Sequence, residues 1–137
     1  MVNPTKLEQM LSNLREFTRN LKGLRDIPRD DFLADPHKIG NAKYQFVIAI
    51  ECCVDIASHV ISSEGYRLPE TNADAFKVLV EEGILPDAML TTWSSMAGFR
   101  NRLVHLYWDV DDAKVYEYLQ NSLDDLDAFR ERLADLG

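Results

Sequence analysis

One short segment concentrates the side chains that could do acid–base or phosphate chemistry. Residues 100–107 read Arg-Asn-Arg-Leu-Val-His-Leu-Tyr and bring two guanidinium groups, an amide, an imidazole and a phenol into eight positions. An imidazole titrates near neutral pH and serves as general acid or base, and a guanidinium forms paired, charge-assisted hydrogen bonds with phosphate oxygens. The segment therefore indicates chemistry on a phosphate group. The residues concerned are Arg100, Asn101, Arg102, His105 and Tyr107.

The spacing of these residues decides which of them can act together. On an ideal helix Arg100 and His105 differ by about 140°, whereas Arg100 and Tyr107 share one face and Asn101 and His105 share another. Arg100 and His105 therefore meet at one phosphate only if the long Arg side chain bends, if the helix distorts near its end, or if a second chain completes the site. The last option predicts a dimer.

The elements that must position this segment are predicted to be helices. Apolar residues recur at helical spacing along the chain and no stretch has a strand pattern, so we predict an all-α, up-and-down bundle of four to five helices. The first helix is expected to begin at Asn3 with Pro4 and to end at Ile27-Pro28, and the second to span about residues 38–62. The third is expected to begin at Thr71 or Asn72 and to end at Gly83, the fourth to begin at Pro86, and the last to begin at Asp111 or Asp112.

Two of these helices carry apolar stripes that bear on the site. Arg100 lies in the middle of the stripe of the fourth helix, where a guanidinium is unexpected. The stripe of that helix consists of Met89, Leu90, Trp93, Met96, Ala97, Leu103, Val104 and Tyr107, and that of the last helix consists of Leu119, Leu123, Leu126, Phe129, Leu133 and Leu136.

The second predicted helix is apolar nearly all round. Only a thin polar trace of Glu51, Asp55 and Ser58 interrupts it, which is typical of a central helix or of one shared with a second chain. Because Glu51 and Asp55 interrupt the best candidate for a membrane span, residues 44–61, we predict no transmembrane segment.

Size and composition indicate an ordinary globular protein. The chain has 137 residues, 46% of them hydrophobic and 28% charged, which favours a single domain over residues 1–137 and excludes a disordered chain. Cys52 and Cys53 are adjacent inside an apolar stretch, where they suit a core better than a disulfide framework or a metal site. No secretory leader is recognised at residues 1–15, so we expect a cytoplasmic protein.

The charge of the chain limits how it could bind nucleic acid. The net charge is −8, which argues against a broad basic face. The distribution is uneven: residues 1–30 hold six Lys or Arg against four acids, whereas residues 108–137 hold three against nine. Any nucleic acid would therefore have to meet a local basic cluster.

The segment of residues 100–107 resembles a known family motif. The pattern Arg-Asn-x-x-x-His-x-Tyr from Arg100 to Tyr107, followed by Asp-Val-Asp and Val-Tyr, is similar to the Arg-x4-His-x-Tyr signature of the HepT-like branch of the HEPN superfamily. The likeness extends over most of the chain, including Ala49-Ile50-Glu51, residues 58–61, residues 76–85 and the final helix.

The resemblance implies a helical homodimer that acts as the toxin of a toxin–antitoxin pair. Such a toxin is an endoribonuclease that needs neither metal nor cofactor, and it brings Arg100 and His105 of both protomers into one cleft. Two imidazoles would serve as base and acid while the 2′-hydroxyl of RNA attacks, and Arg100 would stabilise the charge on the phosphate. Asn101 and Arg102 are expected to support them.

The resemblance also implies a role for Tyr107 and a protein partner. In the family, an antitoxin of the MNT nucleotidyltransferase type transfers AMP to the tyrosine of the motif and silences the toxin. AMP on Tyr107 would add bulk and negative charge on the face that receives RNA phosphate.

Other interpretations of the same residues remain. Arg100 could be a buried structural cation paired with Glu51 or Asp55, His105 could be an ordinary residue at a helix end, and Tyr107 could be an aromatic residue at the edge of the core. Two functional alternatives follow: a regulated partner whose main role is to be modified by a nucleotidyltransferase, and a dimeric module that binds RNA or nucleotide without catalysis.

Overall fold

Capping side chains set the starts of four of the helices, and three of these caps, Asn3, Thr71 and Asp111, are among those that the sequence predicts. In the computed structural model, which describes residues 2–136, the Asn3 side chain accepts a hydrogen bond from the Lys6 amide at 3.1 Å and Pro4 takes the first helical position. Asp35, Thr71 and Asp111 cap three further helices in the same way, each accepting a bond from an amide of the first turn.

The described residues form seven α-helices and one short 3-10 turn, with no strand among them. The predicted all-α class is thereby confirmed. The elements are α1 (Pro4–Arg25), α2 (Arg29–Leu33), α3 (Pro36–Glu64), α4 (Asn72–Glu81), α5 (Met89–His105), the 3-10 turn (Tyr107–Asp109), α6 (Asp112–Asn121) and α7 (Leu123–Ala134).

The count exceeds the predicted four to five for two local reasons. A five-residue helix, α2, forms inside the expected loop after Pro28. The expected last helix is broken at Ser122, whose amide still bonds to the Tyr118 carbonyl at 2.9 Å while its backbone turns to φ −114° and ψ −9°. The break lets α6 and α7 each direct a short apolar face toward the core.

The longest helix, α3, is the centre of the bundle, and it packs against α1, α2, α4, α5 and α6. With 29 residues and a mean hydropathy of 1.6 over its most apolar window, it is long and apolar enough to cross a membrane by length and composition alone. Eleven of its residues are buried inside the bundle, as in the core helix of a globular fold.

Aromatic contacts fix α5, which carries the candidate segment, against its neighbours. Phe99 lies immediately before Arg100 and stacks on Tyr118 of α6, with ring centroids 3.9 Å apart, and it meets Phe46 of α3 edge-on at 5.4 Å. One turn and a half earlier, Trp93 contacts Phe76 of α4 and Phe129 of α7 at 4.8 and 4.9 Å. These rings hold the backbone of α5 in place on the N-terminal side of Arg100.

Three residues that the apolar stripes assign to the core are instead exposed. Val104, Tyr107 and Leu136 are 42%, 47% and 38% exposed. Tyr107 lies beyond the end of α5 and Leu136 beyond the end of α7, whereas Val104 is still in the last turn of α5 and lines an open cavity with Lys43 and Tyr44 of α3. The stripe predictions are wrong at Tyr107 and Leu136 because the helices end before the periodicity does, and at Val104 because the cavity leaves that side chain partly uncovered.

Candidate functional site

Arg100 is held inward by a carboxylate and an amide. Its Nη2 donates to Oε1 of Glu51 on α3, and its Nη1 donates to Oδ1 of Asn101 at 3.1 Å. The Arg100 side chain is 18% exposed, and its Nε is buried with no hydrogen-bond partner. A guanidinium carries five N–H donors, so these two bonds leave further donors available to an anion.

An open cavity of about 250 Å³ lies over this ion pair and is lined by Glu51, Val54, Asp55, Asn72 and Arg100. Of the two acids proposed as partners of Arg100, Glu51 makes the ion pair and Asp55 lies beside it on the cavity wall. Burial, and secondly the negative charge of Glu51, raises the pKa of the Asp55 carboxyl above its ordinary value. The cavity thus combines one guanidinium with two carboxyl groups.

His105 is the last residue of α5 and is exposed. Within the described residues, its imidazole makes no hydrogen bond or ion pair with any other side chain. The helix ends there because Leu106 adopts φ −131° and ψ 42° while its amide bonds to the Arg102 carbonyl at 2.8 Å. In a single chain, therefore, Arg100 is directed into the cavity and His105 into solvent, without a direct contact between them.

Tyr107 lies beyond the end of α5, in the 3-10 turn. The predicted helix face shared with Arg100 is wrong, because the backbone leaves the helix between the two residues. The Tyr107 ring instead lies against α3: the Lys43 ammonium is 4.3 Å from the ring centroid, and the Tyr107 hydroxyl is 4.0 Å from where a Cβ on Gly40 would stand.

Lys43 is a residue of this site that sequence reasoning missed. It is 7% exposed, forms an ion pair with Asp112 of α6 at 3.2 Å, and shares with Tyr107 the wall of an apolar cavity of about 300 Å³. The available signal was weak, because Lys43 is one of several polar residues in the first half of α3, together with Lys38, Asn41 and Gln45. Buried cations need a partner, and the carboxylate and the ring face supply one.

The two residues expected to support the site separate. Asn101 contacts Arg100, as described above. Arg102 is exposed and points to a different groove, between α5 and α6, which it lines with Lys114 and Glu117. The structure therefore brings Asn101 to Arg100 and leaves Arg102 apart from that cavity.

The structure also shows how the possible metal-ligating side chains and the two cysteines are arranged. In the part of the chain from residue 2 to residue 136, no group of three or more His, Cys, Asp or Glu is arranged to hold a metal ion. Both cysteines are free thiols inside α3. Burial, and secondly the charge of Asp55, raises the pKa of Cys52 to about 11, and burial raises the pKa of Cys53 well above its ordinary value.

Comparison with known proteins identifies the family. The family model "Ribonuclease HepT-like" matches residues 7–133, so the chain belongs to the HepT-like ribonuclease family. This confirms the family resemblance carried by the motif from Arg100 to Tyr107.

Two curated relatives support this assignment, and one solved structure has the same fold. The mRNA nuclease HepT of Shewanella oneidensis is 28% identical over 58% of this chain, and that alignment spans 59% of the relative, less than two thirds of its length. The tRNA nuclease HepT of Aphanizomenon flos-aquae is 27% identical over 84% of this chain and 78% of the relative. The tri-AMPylated Shewanella oneidensis HEPN toxin, solved in complex with an MNT antitoxin, superposes with a TM-score of 0.88 at 18% identity, covering 98% of this chain and 99% of that one.

Proposed function

We propose that this protein is the toxin of a HEPN/MNT toxin–antitoxin pair and that it cleaves RNA without a metal ion, using Arg100 and His105. The observation that carries the proposal is membership of a ribonuclease family together with the complete motif at the end of α5. We place its action in the cytoplasm, as one domain over residues 1–137, in agreement with two free cysteines that form no disulfide.

In the proposed reaction, the 2′-hydroxyl of RNA attacks the adjacent phosphorus while His105 takes its proton, and a second imidazole protonates the departing 5′-oxygen. The negative charge accumulates on the nonbridging oxygens. A guanidinium held in place by Glu51 and Asn101 meets that charge without having to reorganise, which is the condition under which such groups stabilise a transition state most.

The second imidazole comes from a second copy of the chain. In one protomer Arg100 is directed into its cavity while His105 faces solvent, so one chain leaves the pair apart. Large apolar side chains around His105 offer the contact surface: Leu106 is 45% exposed and Trp108 is 79% exposed. Exposed apolar side chains grouped in this way are typical of a protein–protein interface. A twofold axis near these residues would bring two copies of the motif into one cleft.

Tyr107 is proposed to accept AMP from the cognate nucleotidyltransferase. Its phenol attacks the α-phosphorus of ATP, pyrophosphate leaves, and the phenolic proton passes to solvent. Tyr107 is 47% exposed and lies two residues from His105, so an adenylate there would occupy the entrance that RNA phosphate must use. The solved relative, an AMPylated toxin in complex with its antitoxin, agrees with this proposal.

The proposal is tested by incubating purified protein with RNA in EDTA. We expect cleavage by the wild type. His105→Ala should lose cleavage by about 10²–10⁴-fold, the contribution of general acid–base catalysis, and Arg100→Ala by about 10²–10³-fold or more, the contribution of a preorganised donor to the developing charge. Cleavage that requires an added divalent ion would contradict the metal-free mechanism.

The modification is tested separately. With the cognate nucleotidyltransferase and ATP, intact mass should rise by whole AMP units in the wild type and stay constant in Tyr107→Phe. RNA or nucleotide binding that is lost in Arg100→Ala, with no turnover by any variant, would instead favour the non-catalytic binding module.

A further inference from the structure

A pocket whose residues lie outside the motif from Arg100 to Tyr107 is lined mainly by cationic side chains. Between α1 and α7, a cavity of about 270 Å³ is lined by Arg15, Thr18, Arg19, Lys22, Asp127 and Arg130. Four of these six residues are cationic and one is anionic, in a chain whose net charge is −8. This is a local basic cluster of the kind that the charge distribution of the sequence requires for nucleic-acid binding.

The cations are held on two rigid helices and are incompletely neutralised. Asp127 accepts from Lys22 at 2.7 Å and lies 3.5 Å from Arg130, so one carboxylate serves two cations. The Nε of Arg130 is buried and has no hydrogen-bond partner. An anion entering the pocket would reduce the repulsion between the cations.

The other two cations of the pocket, Arg15 and Arg19, are less neutralised by carboxylates than Lys22 and Arg130. Arg19 pairs only with Glu16 on its own helix, where both side chains are more than half exposed, so that ion pair contributes little. Arg15 has no ion-pair partner among residues 2–136. Both guanidinium groups are therefore available to a ligand at little cost.

We propose that this pocket binds the phosphodiester backbone of the RNA substrate, as a second contact outside the cleavage site. The proposal deepens the proposed ribonuclease function and rests on it for the identity of the RNA. Arg15, Arg19 and Lys22 follow one another at intervals of four and three residues on one face of α1, over roughly 10 Å of helix axis. In duplex DNA successive phosphates of one strand are separated by roughly 3.4 Å of helix axis, and the row is about three times as long, so it can reach more than one phosphate of a nucleic-acid backbone.

The alternative ligand is an acidic surface of a protein partner. Guanidinium groups favour phosphate because their planar fork matches two of its oxygens. Three Lys or Arg in a row along a helix also suit a linear polyanion better than a single carboxylate. The pocket is therefore assigned to RNA, and the experiment below includes the protein partner as an outcome that would overturn the assignment.

The test is fluorescence anisotropy with a labelled, unstructured RNA of about 20 nucleotides, long enough to follow a groove on the protein. All variants carry His105→Ala so that the RNA stays intact. Arg15→Gln with Arg19→Gln should weaken binding on the order of tenfold at low salt and reduce the slope of log K against log salt by about one to two. Both positions are exposed, so folding should be unaffected.

The matched control is Lys6→Gln with Arg29→Gln, which removes the same charge at exposed positions outside the pocket. If both double variants weaken binding equally, the effect is one of net charge and the inference is overturned. It is also overturned if the pocket variant binds RNA as tightly as its parent while its affinity for the cognate nucleotidyltransferase falls. Failure of the wild type to cleave RNA would contradict the proposed activity, whereas the binding comparison is read independently of cleavage.

Discussion

Arg100 of α5 and Glu51 of α3 form an ion pair that joins the two helices at the wall of the open cavity of the candidate site. The pair supports the structural interpretation of Arg100 and the catalytic one together, because a carboxylate that orients a guanidinium is what a preorganised phosphate site requires. The Glu51 side chain is 42% exposed, so an incoming phosphate can approach the guanidinium without first breaking the ion pair.

The shape of the Arg100 side chain is predicted to matter more than its charge. Arg100→Lys keeps the positive charge but loses the planar fork that binds Glu51 and phosphate at once. We expect the rate of RNA cleavage to fall by roughly 10²–10³-fold, the range seen when one preorganised donor is removed. Single-turnover cleavage assays measure this. Cleavage by Arg100→Lys at the wild-type rate would show that only charge is needed.

Lys43 is predicted to stabilise the turn that carries Tyr107. Lys43→Met removes the ion pair with Asp112 and the contact with the Tyr107 ring, and we expect the free energy of unfolding to fall by about 1–2 kcal/mol. Urea denaturation measures the change. The matched control is Lys38→Met on the same helix, whose 3.7 Å ion pair with Asp35 is more exposed and should contribute less. Equal effects of the two substitutions would contradict the assigned role of Lys43.

The exposed network of Arg67, Asp74 and Glu81 predicts a pH-dependent contribution to stability. Hydrogen bonds from Arg67 at 2.8 Å hold the pKa of Asp74 and that of Glu81 below their ordinary values. A carboxyl with a lowered folded-state pKa stabilises the fold above its unfolded pKa and loses that effect as pH falls through the folded value. Arg67→Gln should therefore lower the Tm at pH 7 and converge with the wild type in acid. A difference in Tm that is the same at both pH values would contradict this account.

The two thiols are predicted to be unreactive in the folded protein. Because burial raises the pKa of Cys52 to about 11, almost none of it is thiolate at neutral pH, and Cys53 is more deeply buried. Iodoacetamide should label neither residue until the protein is denatured, as followed by intact mass. Rapid labelling of the native protein at pH 7 would show that α3 opens, or that Cys52 has a lower pKa than its burial indicates.

The starts of the helices could be predicted from local chemistry, whereas the positions of the site residues depend on how the helices pack. The caps at Asn3, Thr71 and Asp111 follow from a side chain and the next few amides, so they are visible in the sequence. The position of Tyr107 is not, because its place depends on the backbone turning at Leu106 and on the ring reaching α3.

The ion-pair partners of charged side chains likewise depend on how the helices pack. The position of Arg100 in an apolar stripe left open an acidic partner, Glu51 or Asp55, and the packing of α5 on α3 determines that the partner is Glu51. Arg15 and Arg130 are more than a hundred positions apart in the sequence and share one pocket only because α1 packs against α7. Periodicity within a single helix carries no information about such a contact.

The most direct test of the account uses a mixed dimer in which one protomer carries Arg100→Ala and the other carries His105→Ala. Each variant bears a different affinity tag, so that tandem purification isolates the mixed species. If Arg100 of one protomer and His105 of the other act on one phosphate, RNA cleavage in EDTA should exceed that of either variant homodimer by roughly tenfold or more, because the mixed cleft holds one guanidinium and one imidazole whereas each variant homodimer lacks one of these two groups entirely. A mixed dimer as inactive as both homodimers, beside an active wild type, would contradict the shared site.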